Sequence, residues 1–137
     1  VQTCALPILD AATEETYNKI RLGGNFNQVI KNIQNISLQK AMNALDMYLE
    51  LSYIIQKENY KEMPQMVTQA IENRFTPSFY QIYKWYESAF FDDAIIFNEK
   101  HPEFNQFMDV LKHPKLKNKK INWQNMVSFY TRANNPV

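Results

Sequence analysis

The stretch RLGGNFNQVIKNI, residues 21–33, holds the only two glycines of the chain and passes at once into an amphipathic run. Each glycine costs about 1 kcal/mol in a helix interior, so the pair predicts a break between two helices. Asn25 follows as an N-cap, with Gln28 three residues later in a capping-box-like position. The stretch therefore indicates either a joint between helices or a polar surface that recognises a partner.

The segment after the glycines separates apolar from polar side chains. Its apolar residues follow the spacing of one helix face, at i, i+3, i+4 and i+7: Phe26, Val29, Ile30 and Ile33. Amides and a lysine lie on the other side: Asn25, Gln28, Lys31, Asn32 and Asn35. We expect the apolar stripe to anchor this helix to a core, while the amides stay in water.

Helical periodicity continues along the rest of the chain. Asp10 is expected to cap a first helix, Ser37 a long helix over 38–58, and Thr76 with Pro77 a helix that runs to about residue 100. Pro64 fits the first turn of another helix. A short helix is expected around 104–111, and Asn122 is expected to cap a last one. The sequence therefore predicts an all-α fold, a multi-helix bundle of about six to seven helices with no sheet.

A length of 137 residues fits one domain. The opening VQTCALPI shows no periodicity that continues into the residues after it, and it resembles a translated adaptor or cloning scar. Residues 1–8 are therefore set aside, and 9–137 are expected to form a single helical domain. Within it, 9–58 carry the glycine and amide motif, and 59–137 form an aromatic-rich helical segment. We expect the chain to be a fragment of a longer protein.

Composition narrows the function classes. The net charge of +1 implies neither nucleic acid nor an acidic ligand, so only local clustering of charge could do so. The single cysteine, Cys4, cannot form a disulfide framework, which fits a reducing compartment, and we expect a cytoplasmic protein. No apolar run approaches the roughly 18 residues of a membrane span, so no membrane partner is expected.

Enzyme signatures are missing from the sequence. There is no phosphate-binding loop, no nucleophile elbow and no dinucleotide fingerprint. The histidines His101 and His113 lack metal-ligand spacing, and the adjacent Asp92 and Asp93 point in different directions on a helix. The sequence predicts no catalytic residue, no metal and no cofactor, so we expect a protein that is not an enzyme.

The loop KHPKLKNKK, residues 112–120, carries five lysines in nine positions. Such a patch can meet phosphates, and its candidate binding residues are Lys115, Lys117, Lys119 and Lys120. The alternative is a solvated loop between two helices, since no arginine or aromatic residue is interleaved to contact bases. Aromatic residues over 75–97 leave a similar choice between a central core helix and a partner surface.

The opening stretch resembles a known family. Its pattern, basic–aliphatic–Gly–any–Asn–apolar–Asn–Gln–aliphatic–any–basic, is similar to the signature of MobC, the plasmid mobilisation accessory family of the relaxosome. The matching residues are Arg21, Leu22, Gly23, Asn25, Phe26, Asn27, Gln28, Val29 and Lys31. The match covers about residues 15–55, and residues 60–137 have no counterpart. The resemblance implies a role beside a relaxase at a transfer origin, assisting binding or opening of duplex DNA.

The expected function is therefore a non-enzymatic binding module, with a DNA-mobilisation accessory protein as its most specific form. The alternative is a helical protein–protein scaffold, or a helical subdomain of a larger protein. The residues predicted to bind DNA or another partner are Arg21, Asn25, Asn27, Gln28, Lys31, Lys115, Lys117, Lys119 and Lys120.

Overall fold

The computed structural model describes residues 3–84 and 87–135, and a three-stranded parallel sheet lies at its centre. The prediction of an all-α bundle with no sheet is therefore wrong. The elements follow in the order β1 (Thr3–Ala5), α1 (Glu14–Ile20), α2 (Phe26–Met42), β2 (Met47–Ile55), α3 (Met63–Glu72), β3 (Thr76–Gln81), α4 (Ala89–Ala94), α5 (Phe104–Val110) and α6 (Val127–Asn134). Short 3₁₀ turns lie at Tyr60–Glu62, Pro114–Lys117 and Gln124–Met126.

Strand β2 replaces the middle of the helix that was predicted over 38–58, and the first residues of that prediction belong to α2. Its sequence, MYLELSYII, is rich in the aromatic and β-branched residues that favour strands. The odd-numbered residues Leu49, Leu51, Tyr53 and Ile55 all join the core. Ser37, the expected cap, lies inside α2, which ends at Met42, and Ala44 then adopts a positive φ of 47°. That turn separates helix from strand.

Strand β3 replaces the start of the helix that was predicted over 76–100. Pro77 sits at its second residue, near the beginning of the strand, where proline is tolerated. The nearby residue Arg74 has a φ of 62°, which reverses the chain after α3. Only Ala89–Ala94 of the predicted stretch is helical among the described residues, and residues 85 and 86 lie outside them.

The sheet has the sequential order β1-β2-β3, and both strand pairs are parallel. In the register of β2 with β3, Ser52 lies opposite Ser78 and Ile54 lies opposite Tyr80. An isolated parallel bridge pairs Ile8 with Ser52 and continues the β1 side of the sheet. In the segment 1–8, which the sequence analysis sets aside, β1 and Ile8 thus pair with β2.

A second isolated bridge joins Ser78 to Asn122 on the other side of β3. Asn122 was predicted to cap the last helix. Instead, its carbonyl accepts a hydrogen bond from the amide of Phe79 at 3.0 Å, and Asn122 N–H donates to the Pro77 carbonyl at 2.9 Å. Asn122 therefore extends the sheet beyond β3 in the same sequential, parallel order, as one paired residue where a fourth strand would lie.

One core lies on a single face of the sheet. Apolar residues of α2 and of α3 join the same cluster as the odd-numbered residues of β2, so both crossover segments cover the same face. The aromatic residues Phe104 and Phe107 of α5 extend this cluster. This winding leaves the even-numbered residues of β2 pointing to the opposite side, because side chains alternate along a strand.

Several predicted helices are confirmed. Asn25 caps α2, and its side chain accepts from the Gln28 backbone N–H at 3.0 Å. Pro64 lies in the first turn of α3. Helix α1 exists as predicted with Glu14 in its first turn, although its cap is Thr13 rather than Asp10.

The glycine pair is a joint between α1 and α2. Gly23 adopts a φ of 77°, a conformation that other residues rarely take. A Cβ on Gly24 would lie 2.7 Å from Cε1 of Tyr17, so this position has no room for a side chain. The ring of Tyr17 also contacts Phe26, with centroids 5.6 Å apart. The two glycines thus allow a tight turn that brings Tyr17 of α1 into contact with Gly24 and with Phe26 of α2.

Candidate functional site

The face of the sheet opposite the core is polar at its centre and open at one side. We call it the open face and define it by these residues: Cys4, Ile8, Tyr48, Glu50, Ser52, Ser78 and Tyr80. Ile8 is 50% exposed and Tyr48 is 39% exposed, so the β1 side of this face is open to solvent. Parallel sheets are normally covered on both faces, so an open polar face marks a candidate site.

Glu50 lies at the centre of the open face and is only 6% exposed. The Tyr48 hydroxyl donates to its Oε2 at 3.1 Å, and the Tyr80 hydroxyl donates to its Oε1 at 3.1 Å. Tyr48 is two residues away on the same face of β2. Tyr80 lies opposite Ile54 on the neighbouring strand, so its long side chain reaches back along the sheet to Glu50. Among the described residues, Glu50 forms no ion pair with a lysine, arginine or histidine.

The two phenols remain hydrogen-bond donors over a wide pH range. Burial raises the pKa of Tyr80, and the hydrogen bond to Glu50 and its charge raise that pKa further. Burial also raises the pKa of Tyr48, while the hydrogen bond to Thr76 opposes the increase and Glu50 adds to it. Both hydroxyls therefore keep their protons and hold the carboxylate in one orientation.

Ser78 adds an unused polar atom to the same face. Its side chain is fully buried, and its Oγ has no hydrogen-bond partner within the described part of the chain. Ser52, its register partner on β2, is also buried. Because buried hydroxyls are normally paired, the Ser78 hydroxyl is an unused hydrogen-bonding group of this face, and its burial shields it from solvent.

The open face was not predicted from the sequence. The signal was present, since MYLELSYI alternates two sets of residues: Leu49, Leu51 and Tyr53 against Tyr48, Glu50 and Ser52. An alternation of this kind predicts a half-buried strand. The same residues also fit a helical stripe through Tyr48, Leu49 and Ser52, which places Tyr48 and Ser52 on the buried side of the predicted helix.

Loops at the carboxyl ends of β1 and β2 are tied together by polar contacts. The Asn59 amide donates to the carbonyls of Asp10 and Ile54, at 2.8 Å in each case. Glu62 accepts the Ala12 N–H at 2.7 Å and the hydroxyl of Thr13 at 2.6 Å. These carboxyl and amide groups are used within the fold, which makes this end of the sheet a rigid support.

Arg21, predicted to bind DNA or a partner, turns back toward the loop after β1. Its guanidinium pairs with the buried carboxylate of Asp10 and is itself half exposed. The other residues of the motif lie at the surface of α2. Asn27 contacts Glu14 at 3.3 Å, Gln28 donates to Asn32 at 2.9 Å, and the Lys31 side chain is exposed.

The basic loop lies against α3. Lys115 donates to the Thr68 hydroxyl at 2.8 Å, while Lys117, Lys119 and Lys120 are exposed and form no ion pair among the described residues. A groove of about 530 Å³ separates this loop from α3, with Val67 on its apolar wall. The structure therefore gathers four of the predicted lysines in one region.

The two predicted groups of binding residues stand on different elements. Helix α2, with Asn27 and Lys31, packs against α1, whereas the turn Pro114–Lys117 packs against α3. These contacts do not join the α2 residues and the lysine loop into one continuous site. Each group must therefore be tested separately.

No group of histidine, cysteine and carboxylate side chains within 3–84 and 87–135 is arranged to hold a metal ion. His101 instead contacts the Asp93 carbonyl at 3.2 Å through its Nε2, at the surface. Of the helices in the described ranges, none is long and apolar enough to cross a bilayer. No protein-family model matches the sequence, and no curated protein or solved structure matches it significantly.

Proposed function

We propose that the protein is a small-ligand-binding domain of β/α type that holds its ligand on the open face of the sheet. One observation carries this proposal: both crossover segments cover the core face, while the other face presents Glu50, Ser52 and Ser78. Sequential parallel strands with helices on one side form the winding of (β/α) barrels, whose ligands bind toward the carboxyl ends of the strands. Tyr80 lies near that end of β3, and its hydroxyl reaches back to Glu50, which lies opposite Thr76 at the beginning of the strand.

The geometry supports binding and not a particular reaction. The Glu50 carboxylate is held by two phenols, and no histidine, cysteine or lysine contacts it in the described ranges. A carboxylate fixed by two neutral donors can orient a bound group and complement its charge. The function proposed is therefore recognition of a small polar molecule.

Amide NMR tests the location of this site. Labelled protein is titrated in turn with n-butylammonium, butyrate, butanol and phenyl phosphate, a set that covers cationic, anionic and neutral chemistry. At least one probe should shift the amides of Glu50, Ser52 and Ser78, and the shifts should saturate. If every probe leaves these amides unmoved, or moves only the 112–120 loop, the proposed site is wrong.

A second candidate function is binding of duplex DNA, as the resemblance to the mobilisation family implies. It is supported by one observation: the exposed cations Lys117, Lys119 and Lys120 follow one another in a single loop without acidic partners among the described residues. A relaxase would be the protein partner in that case, and the protein–protein scaffold is the alternative. Fluorescence anisotropy with a labelled duplex, repeated at rising salt, tests the DNA proposal because phosphate contacts weaken steeply with salt.

A further inference from the structure

The charge of the open face narrows the chemistry of its ligand. Other carboxylates in contact with the folded body have partners that offset them: Asp10 has Arg21, and Glu103 has Lys61 together with the Tyr60 hydroxyl. Glu62 accepts backbone and hydroxyl donors at the start of α1. Glu50 resembles Glu62 in having only neutral donors and no ion pair in the described ranges, but it lies on the open face of the sheet, where Glu62 does not.

The free hydrogen-bonding capacity of the site is mainly accepting. Both tyrosine hydroxyls use their protons on Glu50, and Thr76 and Ser52 also hydrogen-bond Tyr48 and Tyr80, which leaves about one lone pair on each phenol oxygen. Glu50 itself has further lone pairs, since an ionised carboxylate accepts more than one bond at each oxygen. Ser78 contributes an unpaired hydroxyl on the same face, within the part of the chain that the structure describes. The complementary ligand group is thus one with several donors.

The charge of Glu50 sets a preference for a positively charged ligand group. Tyr48 and Tyr80 approach the carboxylate through their hydroxyls, from the same strand and from the neighbouring strand. An anionic group would meet the charge of Glu50 at short range, which disfavours it.

We infer that the open face binds an organic ammonium group, with Glu50 as its counter-ion and Tyr48, Tyr80 and Ser78 completing the site. This inference rests on the proposed function and specifies its ligand class. Each phenol oxygen lies 3.1 Å from a Glu50 carboxylate oxygen, and so compact a cluster fits a primary amine head group and not a bulky polycation. The rest of the ligand then extends over the open β1 side, where Leu6 and Ile8 offer apolar contacts.

Isothermal titration and amide NMR with n-butylammonium test the ligand class. Butanol has the same chain without the charge, and butyrate reverses the charge. Butylammonium should bind more tightly than either by about tenfold or more, a margin expected for a charge-assisted contact. Binding of butanol or butyrate at the same amides with equal or higher affinity overturns the ammonium class but leaves the site in place.

Glu50→Gln tests the counter-ion. The change keeps the shape of the side chain and a carbonyl acceptor for the phenols but removes the charge. The affinity for butylammonium should therefore fall about tenfold, while the amide NMR spectrum remains that of a folded protein. Glu58→Gln is the matched control, because the Glu58 carboxylate is exposed on the loop after β2. The affinity of this variant for butylammonium should equal that of the wild type. Equal loss in both variants would point to long-range charge and would overturn the role of Glu50.

Tyr80→Phe gives a second measurement that does not alter the charge. Loss of the Tyr80 hydroxyl removes one of the two bonds that orient the Glu50 carboxylate. Butylammonium binding should therefore weaken by about two- to fivefold. If Glu50→Gln fails to fold, this variant decides the proposal alone. Unchanged affinity in folded Tyr80→Phe would show that the cluster around Glu50 does not form the site.

Discussion

The guanidinium of Arg21, at the end of α1, donates from Nε to Oδ2 of Asp10 over 2.6 Å. The Asp10 side chain is only 4% exposed, and its other oxygen, Oδ1, has no partner within the described residues. The contact fixes the glycine joint to the loop that follows β1. Arg21 therefore has a structural role that its position in a basic and amide motif did not indicate.

Stability should depend on pH through Asp10. Burial raises the pKa of this carboxyl above 3.8, and the charge and hydrogen bond of Arg21 only partly offset that effect. The folded state thus holds the proton to higher pH than the unfolded chain, so stability is lost as pH rises through the raised pKa. As the pH rises from 3.8 to the raised pKa, the free energy of unfolding of the wild type should fall relative to that of Asp10→Asn. Urea denaturation at a series of pH values measures this difference.

Asp46→Asn serves as the control for that series, because Asp46 is exposed at the turn before β2. Its stability curve should run parallel to that of the wild type. A difference between wild type and Asp10→Asn that stays constant, or grows in favour of the wild type as pH rises, would contradict the prediction.

Asn25 should stabilise α2 through its cap. Its side chain accepts the Gln28 N–H, a bond that alanine cannot replace, so Asn25→Ala should lower the free energy of unfolding by about 1 kcal/mol. Asn27→Ala is the matched control on the same turn and should change stability by less than about 0.5 kcal/mol. Urea denaturation measures both, and equal effects would mean that the capping bond is not the cause.

The beginning of α2 could be predicted from sequence because its signals are local. A cap at Asn25 and an apolar stripe from Phe26 to Ile33 act within a few turns of the same helix. The sheet depends on contacts between distant residues. Strand β2 pairs with residues more than twenty positions away, and its leucines fit a helical stripe as well as a strand until those partners are known.

The sequence did not predict the candidate site because it did not predict the sheet that forms it. Glu50 and Tyr80 are thirty positions apart, and only the parallel register of β2 with β3 brings their side chains together. The lysine loop, in contrast, is contiguous in sequence and could be recognised directly. A candidate site that is local can therefore be found from sequence, whereas one that requires tertiary pairing cannot be found until the strands are placed.

Gly24 should tolerate no side chain. A Cβ there would lie 2.7 Å from the Tyr17 ring and 3.1 Å from the Arg21 carbonyl, so the joint would have to open. Gly24→Ala should therefore lower the free energy of unfolding by about 1–3 kcal/mol, the usual cost of overpacking. The double variant Gly24→Ala with Tyr17→Leu should show a smaller added cost from alanine, because it removes the ring. Thermal and urea unfolding measure both, and equal costs would place the strain elsewhere.

If the basic loop binds duplex DNA, its lysines should set the salt dependence. Each phosphate contact contributes about 0.9 to the slope of log affinity against log salt. Replacing Lys117, Lys119 and Lys120 by alanine should therefore reduce that slope by about 2–3 and weaken binding at low salt, as measured by fluorescence anisotropy. Lys31→Ala tests the α2 motif separately.

Lys100→Ala is the control for both lysine variants, because Lys100 is exposed on a different loop. It should leave affinity and slope within error of the wild type. An equal loss in all three variants would indicate unspecific attraction to total charge. A reduced slope for Lys31→Ala alone would assign DNA contact to α2, since that helix packs on α1 and the lysine loop packs on α3.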